Sequence, residues 1–386
     1  MRVSGPSKRW TAFRRAGVLA AVAVVALAVT MAPVGAADST TTTAKSSGKK
    51  VKALNPRVTI KIPDLQVASE AGLYTAMERG YFAERGIDIE LLGPLNSVDQ
   101  VPLLATGDLG VGIGTPTTTF FNASANGIDI KFVCTWTTQE EGDGAFGLYV
   151  RKELIDSGQV KSIADLKGKN IGTASVTDPY ALSKVLESAD LTLDDVTMVG
   201  LNYPDQVAAF AGGSIDAAMV LEPFGIQAEN RGLAKRLAPA GDYAPGPAVF
   251  VAVGPAFARA NPEAVTKFLE AFMLGQRDYE QAFFGDGTDR DEVLGILTQH
   301  TRIKDPAQYE ALVAKQAMPR PDPNCTLPKA KEINDYQDVF TELGSQPKRV
   351  KASDVLDSKY LKQALKQIGK ADTSTTPAAS TTTAAK

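Results

Sequence analysis

"LNSVDQVPLLATGDLGVGIGTP" at residues 95–116 and "LNYPDQVAAFAGGSIDAAMVLEP" at residues 201–223 begin 106 positions apart and share one layout. Each opens with Leu-Asn-x-x-Asp-Gln-Val, continues with apolar residues at helical spacing, meets a glycine and ends in an alternating apolar run. In the first copy Ser97, followed three residues later by Gln100, fits a capping box, and in the second Pro204 occupies a first helical turn. Val101, Leu104 and Ala105 predict one helical face, and Val207, Phe210 and Ala211 predict its counterpart. Gly107 and Gly213 supply the permissive residue that ends each helix. Strands follow through Leu109, Val111 and Ile113 and through Ile215, Ala217 and Met219. The pattern predicts one structural unit written twice by duplication of a lobe.

The surrounding chain continues the alternation. "RVTIKI" (57–62) and "IDIELL" (87–92) read as strands around the helix "ASEAGLYTAMERG" (68–80). In the second lobe "KNIGTAS" (169–175), "DPYALSKVLESA" (178–189) and "VTMVGL" (196–201) repeat strand, helix and strand. This predicts an α/β protein of two doubly wound lobes with parallel sheets. "FGLYVRK" (146–152) and "AVFVAVG" (248–254) read as two crossing strands between the lobes. Lobe one then comprises residues 57–149 and 248–370, and lobe two residues 150–247. Two amphipathic helices, 261–284 and 353–369, are expected to pack back on lobe one.

The ends are of another character. Residues 1–37 carry a basic start (Arg2, Lys8, Arg9, Arg14, Arg15), an apolar run over 17–31 and small residues at Val34-Gly35-Ala36, the layout of a secretory signal. Left uncleaved, the uncharged run from Ala16 to Ala37 approaches the length of a membrane anchor. Residues 38–56 read as a Thr/Ser-rich disordered linker and residues 371–386 as a disordered tail. With 386 residues, 44% apolar and 22% charged, the remainder is long enough for a core and two domains. Loss of residues 1–37 removes five positive charges and no negative one, taking the formal charge from −3 to −8. An acidic exported protein is a poor partner for nucleic acid, and none is expected.

Two cysteines, Cys134 and Cys325, and one histidine, His300, restrict the chemistry. In an oxidising compartment the thiols either form one disulfide or stay as two buried free thiols. Metal and cofactor sites are not expected, and His300 reads as an ordinary surface residue. The chain holds no Gly-x-Ser-x-Gly elbow, phosphate loop or His-Glu-x-x-His motif.

"GLYTAMERGYFAERGIDIEL", "LLATGDLGVGIG", "IADLKGKNIG", "LTLDDVTMVGL", "FAGGSIDAAMVLEPF" and "ANPEAVTKFLEAFM" occur in that order. Together they resemble the solute-binding proteins of ABC importers, in the branch handling nitrate, sulfonates, taurine and thiamine-pyrimidine precursors. The resemblance runs from about residue 57 to 284. It implies a type II periplasmic-binding-protein-like fold, a small-molecule ligand held between the lobes, and delivery to a membrane permease by what is expected to be a monomer. Fungal pyrimidine synthases, which are similar, use a pocket histidine and a cysteine-rich run that this chain lacks. An enzyme on the same fold, and a ligand sensor for a membrane kinase, are the alternatives.

Loops that follow strands are the expected binding places, because the crevice of an open α/β sheet lies outside the carboxyl ends of its strands. In lobe one they supply Asp64, Gln66, Thr115, Trp136 and Thr137, and in lobe two Ser175, Thr177, Glu222 and Phe224. Trp136, within "TWTTQEEGDG", is expected as a stacking wall in a loop, the alternative being a core aromatic. Thr177 or Asp178 can equally be helix caps, and Glu222 a carboxylate bonded to backbone amides. These loops contain no Lys or Arg, whereas Asp64, Glu140, Glu141, Asp143, Asp178 and Glu222 lie in or near them. A neutral or cationic ligand, such as an amine, an aminopyrimidine or a zwitterion, is therefore expected.

Overall fold

A computed structural model describes residues 51–175 and 177–372. The expected signal segment, most of the expected linker and nearly all of the expected tail lie outside the described residues. The first lobe opens with β1 (Val58–Pro63), α1 (Ala71–Glu78), α2 (Tyr81–Glu84), β2 (Ile87–Leu92), α3 (Ser97–Thr106), β3 (Gly112–Gly114), α4 (Thr118–Ala125) and β4 (Lys131–Gln139). The second holds β5 (Phe146–Arg151), α5 (Lys152–Asp156), β6 (Asn170–Thr173), α6 (Asp178–Glu187), β7 (Thr197–Gly200), α7 (Tyr203–Gly212), β8 (Ala217–Leu221), α8 (Phe224–Asn230) and β9 (Ala234–Pro239). The chain returns through β10 (Gly246–Val253) and α9 (Pro255–Ala260) to the long α10 (Pro262–Phe283). It ends with α11 (Arg290–His300), α12 (Pro306–Ala314), β11 (Arg320–Pro321), α13 (Ala330–Glu342), α14 (Ala352–Val355) and α15 (Lys359–Ile368). Among the described residues no helix is long and apolar enough to cross a membrane.

Lobe two is a five-stranded sheet in the order β7-β6-β8-β5-β9. Lobe one holds the sheet β11-β4-β10-β3 and the pair β1-β2. The expectation of wholly parallel sheets is corrected. β1 with β2, and β6 with both β7 and β8, run parallel, but β5 and β10 are antiparallel to their neighbours. A strand arriving from the other lobe runs against those built by strand–helix–strand units. β5 and β10 each lie wholly in one sheet, so the passages between sheets are residues 140–145 and 240–245. These passages touch, with the Gly142 N–H donating to Asp242 at 2.7 Å.

The repeated phrase is a cap and an anchor. Asn96, rather than Ser97, is the N-cap of α3, accepting from the N–H groups of Val98 (2.9 Å) and Asp99 (3.1 Å). Asn202 caps α7 in the same way through Asp205 N–H (3.1 Å). The glutamines turn inward instead of closing a capping box. Gln100 donates to the carbonyls of Leu95 (2.8 Å) and Ile113 (2.9 Å) and accepts from Ile113 N–H (3.0 Å). Its amide thereby fills an edge of β3 as a strand neighbour would, and the lobe-one sheet opens there. Gln206 also donates to its leucine, Leu201 (3.2 Å), but β8 is paired on both sides and offers it no equivalent place. Gly107 and Gly213 end the helices at φ 87° and 68°, in the left-handed region that favours glycine.

α10 and α15 pack on lobe one as expected, with Phe268, Phe272, Leu361 and Ala364 against Ile60, Val133 and Val251. Contacts begin earlier than the strand pattern indicates, since Leu54 donates to the Arg85 carbonyl at 3.0 Å. They also end later, because Ala371 pairs with the Asn324 side chain. Cys134 on β4 and Cys325 are bonded within the same core. The bridge closes a loop across 191 positions, which restricts the unfolded chain far more than the folded one. Replacing both cysteines by serine is expected to remove about 2–5 kcal/mol of stability. A lower denaturant midpoint with a steeper slope is the expected result, since the unbridged chain unfolds to a less compact state, and an unchanged midpoint would show that packing alone holds the segment.

Candidate ligand site

Four strand-end loops, following β1, β3, β6 and β8, hold the candidate site residues. Ile226 on α8 shares an apolar cluster with Ala68 and Ala71, so the β8 loop of lobe two faces the β1 loop of lobe one. Leu65 and Leu221, at these two strand ends, are among the few large apolar residues left exposed.

In the β1 loop the polar groups are turned inward. Asp64 is buried and accepts from Gln66 N–H at 3.1 Å. Glu70 is buried and accepts from the N–H groups of Leu65 (3.0 Å) and Val67 (3.3 Å). The Tyr74 hydroxyl lies between them, 2.5 Å from Asp64 and 2.8 Å from Glu70. A phenol has one proton and can donate to only one carboxylate, so the second contact is a hydrogen bond only when a carboxyl carries a proton and donates to the phenol oxygen. Burial pushes the Glu70 carboxyl up to about 7, against the backbone bond from Leu65, which fits Glu70 as the holder of that proton. His300 is no plain surface residue: its ring stacks on Tyr74 at 4.7 Å and its Nε2 meets Glu78 at 2.7 Å. Gln66 is exposed, in the left-handed region at φ 58°. Its carbonyl accepts from Arg302 N–H at 3.0 Å.

After β3, Thr115 is half-buried and Thr117 is the N-cap of α4. The Thr117 hydroxyl is buried at the start of α4 and has no hydrogen-bond partner among the described residues.

Lobe two contributes a connected patch. Asp178 accepts from the N–H groups of Ala174 (2.7 Å) and Ser175 (3.2 Å), from the Ser175 hydroxyl, and from Tyr203 at 3.3 Å. Burial raises its carboxyl, and the serine bond opposes the shift. Ser175 is exposed and 3.0 Å from the Thr177 hydroxyl, which makes no cap bond of its own. Tyr203 stacks near Phe224 with ring centres 6.0 Å apart and planes 20° from parallel, both rings half-buried. Glu222 accepts from the Tyr149 hydroxyl at 2.5 Å and from Ile226 N–H at 2.8 Å. Burial raises its carboxyl too, opposed by the tyrosine bond.

Two expected site residues belong elsewhere. β4 extends through Gln139, so Trp136 and Thr137 are strand residues rather than loop residues. Trp136 is fully buried, donates to the Ser69 carbonyl at 2.6 Å and packs on Phe272 at 4.4 Å. It is a core aromatic and offers no stacking wall. Thr137 is buried opposite Val249 and Pro321. Residues that the sequence reading missed are Tyr203, Thr117 and Arg302. Tyr203 had a signal, for it stands in the repeated phrase where the first copy has Ser97. The duplicated scaffold residues agree there and this half-buried position differs.

Trp136→Ala is expected to cost about 3–5 kcal/mol through the cavity it leaves, read as a lower unfolding midpoint. A second prediction concerns pH. The folded state holds the Glu70 proton to about pH 7, whereas an ordinary glutamate releases it near 4.5, so the folded state binds more protons in that window. Stability should therefore fall as pH rises from 4.5 to 7, by about 1–3 kcal/mol. Asp143, also pushed up to about 7 by burial, adds in the same direction. Glu70→Gln should flatten the slope, and an unaltered slope would place the proton elsewhere.

Two α/β lobes joined by two passages, with strand-end loops facing one another, define the type II periplasmic-binding-protein-like fold. The chain belongs to the NMT1/THI5-like family, whose model matches residues 68–279. A Brucella abortus (strain 2308) protein described as a binding protein is 31% identical over 199 residues, 50% of this chain and 58% of that protein. A 4-amino-5-hydroxymethyl-2-methylpyrimidine phosphate synthase of Saccharomyces cerevisiae is 28% identical over 214 residues, 52% of this chain and 60% of the synthase. The matches thus span less than two thirds of these relatives. The periplasmic aliphatic sulphonate binding protein SsuA from Escherichia coli has the same fold, with a TM-score of 0.63 at 20% identity, covering 79% of this chain and 99% of SsuA.

Proposed function

We propose that this is an exported solute-binding protein that closes its lobes on a small neutral or cationic molecule and hands it to the permease of an ABC importer. It acts as a monomer without a cofactor. The observation that carries the reading is the facing of two strand-end surfaces on one doubly crossed scaffold. One presents Gln66 and Thr115, the other Ser175, Thr177, Tyr203 and Phe224. The basic and then apolar start of the chain supports export, and the binding-protein relatives support capture of a solute.

The charge of the ligand follows from what the loops hold. Four acids, Asp64, Glu70, Asp178 and Glu222, lie in these loops, and each already accepts internal hydrogen bonds. An anion brought beside desolvated carboxylates is repelled, whereas an amine or a ring nitrogen is not. The Tyr203 and Phe224 rings supply a flat apolar face for a planar ligand. The yeast synthase favours a second reading, an enzyme acting on such a molecule.

A thermal-shift series of the protein with aminopyrimidines, amines, alkanesulfonates and nitrate tests this. A ligand that binds only the folded state adds about 2.7 kcal/mol at a hundredfold excess over its Kd. The expected outcome is a shift with the amine-bearing members, lost in Tyr203→Ser when measured from that variant's own ligand-free midpoint. Glu222→Gln should weaken a cation more than a neutral analogue. Shifts with alkanesulfonate or nitrate alone would reject the charge argument, and turnover of the bound compound by mass spectrometry would favour the enzyme.

A further inference from the structure

The segment from α12 to α13 lies beyond the family model and touches both lobes. Its attachment to lobe one is covalent, through Cys325 and Cys134. Backbone bonds reinforce it: β11 pairs with β4 at Thr137 and Thr138, and Thr135 N–H donates to the Thr326 carbonyl at 3.1 Å. On α13, Ile333 and Phe340 enter the lobe-one cluster formed by Phe120, Phe121, Phe132 and Phe250.

The same segment grips lobe two at two separate helices. Around α8, Tyr309, Leu312, Ala317 and Met318 share an apolar cluster with Ile226, and Lys315 pairs with Glu229. At α6, Tyr336 stacks on Tyr180 with ring centres 3.9 Å apart, and Val339 belongs to the lobe-two core with Leu182 and Val185. The Gln316 carbonyl also accepts from Gly144 N–H, in the first passage between the lobes, at 2.7 Å.

We infer that residues 306–342 form a clamp, anchored by the disulfide to lobe one, that holds α6 and α8 of lobe two and must let go before the lobes separate. Helices α6 and α8 both begin at the strand ends of the site, so any rotation that opens the cleft carries them away from lobe one. A strap bonded to lobe one cannot follow both. Opening therefore has to expose the Val339 and Ile226 seats and part Lys315 from Glu229, and the ligand-free equilibrium is set by these contacts as well as by the two passages. The clamp rests on the proposed function only in that the lobes move apart.

Single-molecule distance measurements on the full, ligand-free chain test it, with dyes at Lys167→Cys in lobe two and Lys362→Cys in lobe one, both exposed positions. The unaltered clamp should give one short-distance population. Lys315→Glu, which reverses a surface charge, and Val339→Ser, which empties a seat, should each raise a longer-distance population several-fold while circular dichroism stays unchanged. Where Val339→Ser does not fold, Lys315→Glu alone decides. Folded variants that keep the original distance distribution overturn the clamp. No ligand enters the experiment, so its result does not depend on which molecule the cleft takes.

Discussion

Two short passages, residues 140–145 and 240–245, carry the chain between the lobes, and they run against each other. A Cβ at position 241 would stand 2.0 Å from the Glu140 carbonyl oxygen, so only glycine allows the approach there. Asp242 accepts from Gly142 and Asp143 accepts from Ala145 N–H at 2.8 Å, so each passage is tied by carboxylates. Because the chain passes between the sheets at this contact, it helps set the direction in which their strand ends face. The candidate site lies where the β1 and β8 ends face one another.

Within the site, the acids serve the backbone first. Asp64, Glu70, Asp178 and Glu222 all accept from N–H groups of their own loops, which gives each loop a defined shape at the cost of burying charge. Burial raises Glu70, Asp178 and Glu222, and hydrogen bonds oppose it in each case. What remains for a ligand is a surface of hydroxyls, aromatic faces and two exposed leucines. Such a surface can select by shape and hydrogen bonding, while the acids in its loops disfavour an anion.

The return of the chain after β10 adds a feature that a pair of lobes does not need. α10 and α15 complete the lobe-one core, but α12 and α13 divide their apolar contacts between lobes. Val339 and Phe340 are adjacent in sequence, yet one enters the core of lobe two and the other that of lobe one. A helix can do this where it lies in the seam, since neighbouring residues point about 100° apart.

The sequence by itself determined the repeated unit, the alternation of strands and helices and most of the strand-end loops, and it put the two crossings a few residues late, in β5 and β10 instead of in the passages before them. Those features rest on local rules: periodicity, caps, glycine at positive φ and the place where a parallel strand must stop. It did not determine that Trp136 is core, because a polar neighbourhood reads the same in an edge loop and in a strand covered by α10. Nor did it decide which glutamine would edge a strand, since Gln100 and Gln206 sit in one phrase and differ only in whether the next strand is already paired. Arg302 beside Gln66, the Tyr74 proton between two acids, the bonding of Cys134 to Cys325 and the straddling of α13 were decided by tertiary structure alone. Each joins residues whose meeting depends on how whole elements pack, and no local pattern encodes that distance.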